Sequence, residues 1–156
     1  MSRDFRIITA YPATVGTATV TGVIGLLALR FPAITTAFQQ DPAQLADGEV
    51  WRLLSPVLVQ GYGLGQFLFN MLGIIFIGAA VETYFEWGRW MGLYVLAGVV
   101  AIMVTSILFP NDIDSGSSAA VAGLIGALCV NSLRRHTLPG WAAYLYSAFL
   151  LSISRY

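Results

Sequence analysis

Ser118 is the residue most able to do chemistry here. It lies in the run Gly-Ser-Ser-Ala-Ala-Val-Ala-Gly-Leu-Ile-Gly-Ala at positions 116–127, at the head of an apolar, glycine-bearing segment. A hydroxyl at the outer mouth of a membrane helix has two uses. It can bond its own backbone, as Ser and Thr commonly do in such helices, or it can be a nucleophile held where water is scarce. Asn70 is the second candidate. It stands among Phe67, Leu68, Phe69, Met71 and Leu72, and Gln66 precedes it by one helical turn on the same face. Lipid offers these carboxamides no partners. The structural use of such a pair is interhelical hydrogen bonding, worth about 0.6 to 2 kcal/mol per contact. The chemical use is to aim N–H donors at a developing oxyanion.

The elements that must hold these residues are membrane helices. The sequence of 156 residues is 57% hydrophobic and 10% charged, with a mean hydropathy of +0.74. Soluble domains carry about 25% charged residues. Apolar runs occupy residues 14–33, 64–83, 90–109, 117–133 and 140–153. A span needs about 20 residues, so the first four qualify, the fourth narrowly, and the fifth is short. Composition thus predicts an all-α, polytopic membrane bundle in a single domain, residues 1–156, with about five segments. The basic N-terminus runs into a span-length segment, which argues for a first membrane helix over a removed signal peptide.

Every basic residue is arginine and formal net charge is zero, so nothing favours nucleic acid as a partner. The lone Cys129 sits in an apolar run and reads as a small buried hydrophobe. No cofactor motif is present. Arg3, Arg6, Arg89, Arg134 and Arg135 fall on one side of the spans, opposite most of the acidic residues. The positive-inside rule makes that side, and the N-terminus, cytoplasmic. Ser118 then lies near the outer face, with the long loop of residues 32–63. That loop contains Phe38, Trp51, Arg52, Leu54 and Leu58, a composition suited to the outer interface. Gly123 and Gly126 predict close helix contacts for the fourth segment. Glu82, at a cytoplasmic helix end, is expected to pair with an Arg or to cap a neighbouring turn.

Taken in order, these residues resemble the rhomboid family of intramembrane serine proteases. Trp51-Arg52 is similar to the family's loop motif. Asn70-Met-Leu-Gly is similar to its second-helix Asn, and Gly78-Ala-Ala-Val-Glu82 to its small-residue run ending in Glu. The stretch from Tyr94 to Gly98 resembles part of its third helix, and residues 116–127 resemble its nucleophile motif. The resemblance implies a Ser–His dyad in a water-filled outer cavity, with Ser118 as nucleophile and Asn70 as an oxyanion donor. It implies six helices, transmembrane proteins as substrates or clients, the bilayer as surroundings, and no cofactor or metal. A prokaryotic plasma membrane is the expected setting.

Four positions depart from the pattern. Gln66 replaces the nearer of two family histidines, and its amide can still donate. Gln60 stands near the position of the farther one. Ala119 replaces the glycine after the nucleophile, and Ala122 an aromatic. The family's general base lies on a sixth helix. The only histidine here, His136, is eighteen residues beyond Ser118, or about 27 Å along a helix. A general base must reach within about 3 Å. The sequence is therefore expected to be C-terminally incomplete and inactive as given, with its catalytic His on a missing sixth helix. The alternatives are a catalytically inactive rhomboid-like protein that binds membrane clients and, more distantly, a small transporter. A transporter would want ionisable residues within its spans.

Overall fold

Proline and glycine set the helix boundaries in the computed structural model, which describes residues 10–135. Pro12 opens α1 (Pro12–Arg30), and Phe31, extended before Pro32, closes it. Pro32 opens α2 (Pro32–Phe38), and Pro42 opens α3 (Pro42–Ala46). Asp41 caps α3 by accepting from the N–H groups of Ala43 and Gln44 at 3.1 and 3.3 Å. Two 3-10 turns follow, Val50–Leu53 and Ser55–Leu58. Gly63, with a φ of +80°, starts α4 (Gly63–Glu82). The last two helices are α5 (Trp87–Leu108) and α6 (Ser118–Arg135).

Helices α1, α4 and α5 are long and apolar enough to cross a membrane. The described apolar part of α6, Ser118–Ser132, is shorter than those three. The fifth expected segment, residues 140–153, and His136 lie outside the described residues.

Side chains that face neighbouring helices form a core around Ile74, Val81, Trp90 and Leu124, all fully buried. Large apolar residues such as Phe69, Phe76, Leu96 and Ile107 face outward, as lipid contact requires. Helix α6 packs on α5 and α4, and α1 packs on α4. The Trp90 indole stacks on Tyr94, with ring centroids 5.2 Å apart, and its N–H donates to the Gly78 carbonyl at 2.9 Å. A side chain at Gly78 would press on Trp90 and Thr14, which is why the small-residue run stands there.

Glu82 is a cap, one of the two roles its position suggested. Its carboxylate accepts from the N–H groups of Ala13 and Thr14 at 2.7 and 2.9 Å, at the start of α1. Those donors have no intrahelical partner, and Glu82 supplies one from a different helix.

The first loop is folded around Arg52. Arg52 is 4% exposed. Its guanidinium pairs with Glu49 at 2.6 Å and donates to the carbonyls of Thr36 and Gln39 at 3.0 and 2.7 Å, and to Gln44 at 3.2 Å. Trp51 is half exposed and donates from its ring N–H to the Ala37 carbonyl. The loop therefore turns around a buried, satisfied arginine and leaves the tryptophan facing out.

Candidate active site

Ser118 is the first residue of α6 and is exposed, whereas Ser117 beside it is wholly buried. The two hydroxyls are chemically equal, and the start of the helix decides between them. Only Ser118 of the two is accessible. The first intrahelical bond runs from the Val121 N–H to the Ser117 carbonyl at 2.9 Å. The N–H groups of Ser118, Ala119 and Ala120 thus lack intrahelical acceptors, and the positive end of the helix dipole lies at the hydroxyl. The apolar stretch Ser118–Ser132 is about 22 Å long, against a hydrocarbon core of about 30 Å.

The strand of chain before Ser118 is held from several sides. The Gln40 and Asp114 backbones exchange bonds at 2.8 and 3.3 Å, in an isolated antiparallel bridge. The Gly116 N–H donates to the Pro56 carbonyl at 2.9 Å. The Gly61 N–H donates to the Ser115 hydroxyl at 2.6 Å, and Gln66 Nε2 donates to the Ser115 carbonyl at 2.7 Å. The Gln40 side chain, itself buried, bonds Ser106 and Thr105 on α5.

Gly116 has a φ of +133°, a region that side-chain-bearing residues avoid. Its bare Cα faces three carboxamides. An added Cβ would lie 2.7 Å from Gln66 Nε2, 3.2 Å from Asn70 Nδ2 and 3.3 Å from Gln60 Oε1. The two carboxamides singled out in sequence thus converge two residues before Ser118. Both donate, as their spacing suggested, but each spends one N–H on the protein: Gln66 on Ser115, and Asn70 on Gln60 Oε1 at 2.6 Å. Each amide nitrogen carries two protons, so one remains on each for a further acceptor.

Gln60, which the resemblance set near the farther family histidine, joins this cluster through Asn70. It is 2% exposed, and its Nε2 has no partner among the described residues. Its contact with Asn70 crosses from the loop to α4, outside any helical spacing, so periodicity cannot reveal it. Beneath Ser117, the hydroxyls of Tyr94 and Thr21 gather in the helix core. Of the two glycines on α6, Gly123 abuts Ala97 on α5 as expected. Gly126 does not meet a helix: nothing lies within 4 Å of its Cβ position among the described residues. Ala122 is half-buried, and no histidine lies among the described residues.

Comparison with known proteins assigns the family. The family model for the Rhomboid domain matches residues 47–154. The chain is 36% identical over 89 residues to Rhomboid protease GluP of Bacillus subtilis, covering 57% of this chain and 17% of that protein. It is 33% identical over 108 residues to RHOMBOID-like protein 1 of Arabidopsis thaliana, covering 68% and 28%. It is 32% identical over 97 residues to putative rhomboid protease YdcA of Bacillus subtilis, covering 62% and 48%. The chain thus spans less than half the length of each of these relatives. The family match begins in the first loop, takes in the carboxamides and Ser118, and covers more than half of the sequence, so this chain belongs to the rhomboid family.

Proposed function

We propose that the protein is a rhomboid-type intramembrane serine endopeptidase that cleaves membrane-protein substrates, with Ser118 as nucleophile and Asn70 and Gln66 as oxyanion donors. The observation that carries this reading is the convergence at Gly116: two amide nitrogens close in on the bare Cα, two residues from an exposed serine at a helix N-terminus. In the reaction, Ser118 Oγ bonds the scissile carbonyl carbon while its proton passes to a base. The carbonyl oxygen becomes an oxyanion, taken up by the remaining amide protons and the free N–H groups of α6. The C–N bond then breaks as the amine takes the proton, and water hydrolyses the acyl-serine. The base belongs to a part of the protein outside the described residues, since a serine hydroxyl without one is a weak nucleophile. Arginine bias supports a cytoplasmic N-terminus, with Ser118 toward the opposite face.

The test is labelling with a serine-reactive fluorophosphonate, on protein expressed from the complete open reading frame and reconstituted in lipid. Labelling that is lost in Ser118→Ala and kept in Ser117→Ala supports the reading. Absence of Ser118-dependent labelling and of substrate cleavage overturns it. One observation favours a second reading, in which the protein binds membrane clients without cutting them. Both carboxamides already hold protein acceptors, and Ala119 stands where the resemblance would have glycine.

A further inference from the structure

We propose that Gln60 is a positioning residue of this site, acting through Asn70; this rests on the protease reading only for its effect on rate. An asparagine amide turns broadly about its last torsion, so its two protons have no intrinsic direction. Gln60 Oε1 accepts one of them at 2.6 Å, in a fully buried contact. That bond fixes the plane of the Asn70 amide and therefore the direction of its second proton, the one free for an oxyanion. Gln60 is itself held in place. The Gly61 N–H is bonded to Ser115, and the Gln60 side chain lies 3.8 Å from the Cβ position of Gly25 on α1, where a larger residue would intrude.

The second support is the cost of the arrangement. Gln60 Nε2 is buried with no partner among the described residues. A buried donor left unmatched destabilises a fold; an apolar side chain of similar volume would remove that donor but leave the buried Asn70 proton without its acceptor. What glutamine supplies that an apolar residue does not is the acceptor that orients Asn70. A role in packing alone predicts the reverse: loss of stability when Gln60 is replaced, with no selective effect on Asn70.

The chain has three asparagines, so asparagine-selective isotope labelling gives three side-chain amide signals to resolve by NMR. Gln60→Met should shift the Asn70 amide signals and leave those of Asn111 and Asn131 in place. Gln60→Glu keeps an acceptor oxygen and should restore them. The melting temperature should change little in Gln60→Met, since one unmatched buried donor replaces another. In protein that labels at Ser118, the labelling rate should fall about tenfold in Gln60→Met, less than the loss for a whole oxyanion donor, and recover in Gln60→Glu. Unmoved Asn70 signals in Gln60→Met overturn the proposal. So does a lowered melting temperature that Gln60→Glu fails to correct. A shifted Asn70 signal in protein that never labels supports the positioning role and overturns the protease reading, so the two failures are distinct.

Discussion

At the scale of single residues, the site depends on Gly116 as much as on Ser118. A methyl there must enter both an unfavourable backbone region and the space held by Gln66 and Asn70. Gly116→Ala should therefore destabilise the fold by about 1 to 3 kcal/mol, read as a lower melting temperature in detergent. Gly88→Ala, where a Cβ meets nothing, is the control. A second residue-scale prediction concerns pH. Tyr62 lies beside Asp114, whose negative charge opposes phenolate formation and raises the phenol above its ordinary value of 10, with burial adding to the effect. Asp114→Asn removes that charge, so Tyr62 should ionise at lower pH. Alkaline absorbance titration, taken as a difference against Tyr62→Phe, checks the shift. The helical placement of Asn70 and Gln66 was legible from their spacing in an apolar run, and that of Ser118 from its place at the head of one. The contact of Gln60 with Asn70 was not, because it crosses a loop boundary.

At the scale of elements, the glycines of α6 divide by face. Gly123 lies against Ala97, with no room for a methyl, whereas Gly126 has open space among the described residues. Gly123→Ala should cost about 1 to 3 kcal/mol by overpacking, and Gly126→Ala should cost less, in the same detergent melt. Equal costs would mean that α6 and α5 can separate freely. Glu82→Ala should release the two N–H groups that open α1 and cost about 0.5 to 2 kcal/mol, as the loss of a helix cap does. Helix positions were readable from hydropathy and from proline and glycine punctuation. The short α2, α3 and 3-10 turns were not, because a single turn has no period to detect. The Glu82 cap was only half readable: its residue type fits a helix end, but its partner lies 69 residues away.

At the scale of the whole molecule, the two ends of the bundle are distinguishable by their bonds. The first loop meets the segment before Ser118 at one end, and Glu82 meets the start of α1 at the other. With the cytoplasmic N-terminus proposed above, cysteine placed at Asn111 in a Cys129→Ala background should react with an impermeant reagent from outside. Cysteine placed at Gly88 should react only after permeabilisation. Reversed reactivity would invert the orientation while leaving the bundle unchanged. The spans α1, α4 and α5 could be read from apolar length. The stitching of residues 114–116 to the first loop also governs the order of assembly. Each helix can insert on local hydrophobicity alone, but the bridge from Gln40 to Asp114 joins positions far apart in the chain. Such long closures come late because their entropy is paid before any contact rewards it. Newly inserted chains should therefore pass through a stage with helices in place and the face around Ser118 still unformed, until the last loop docks.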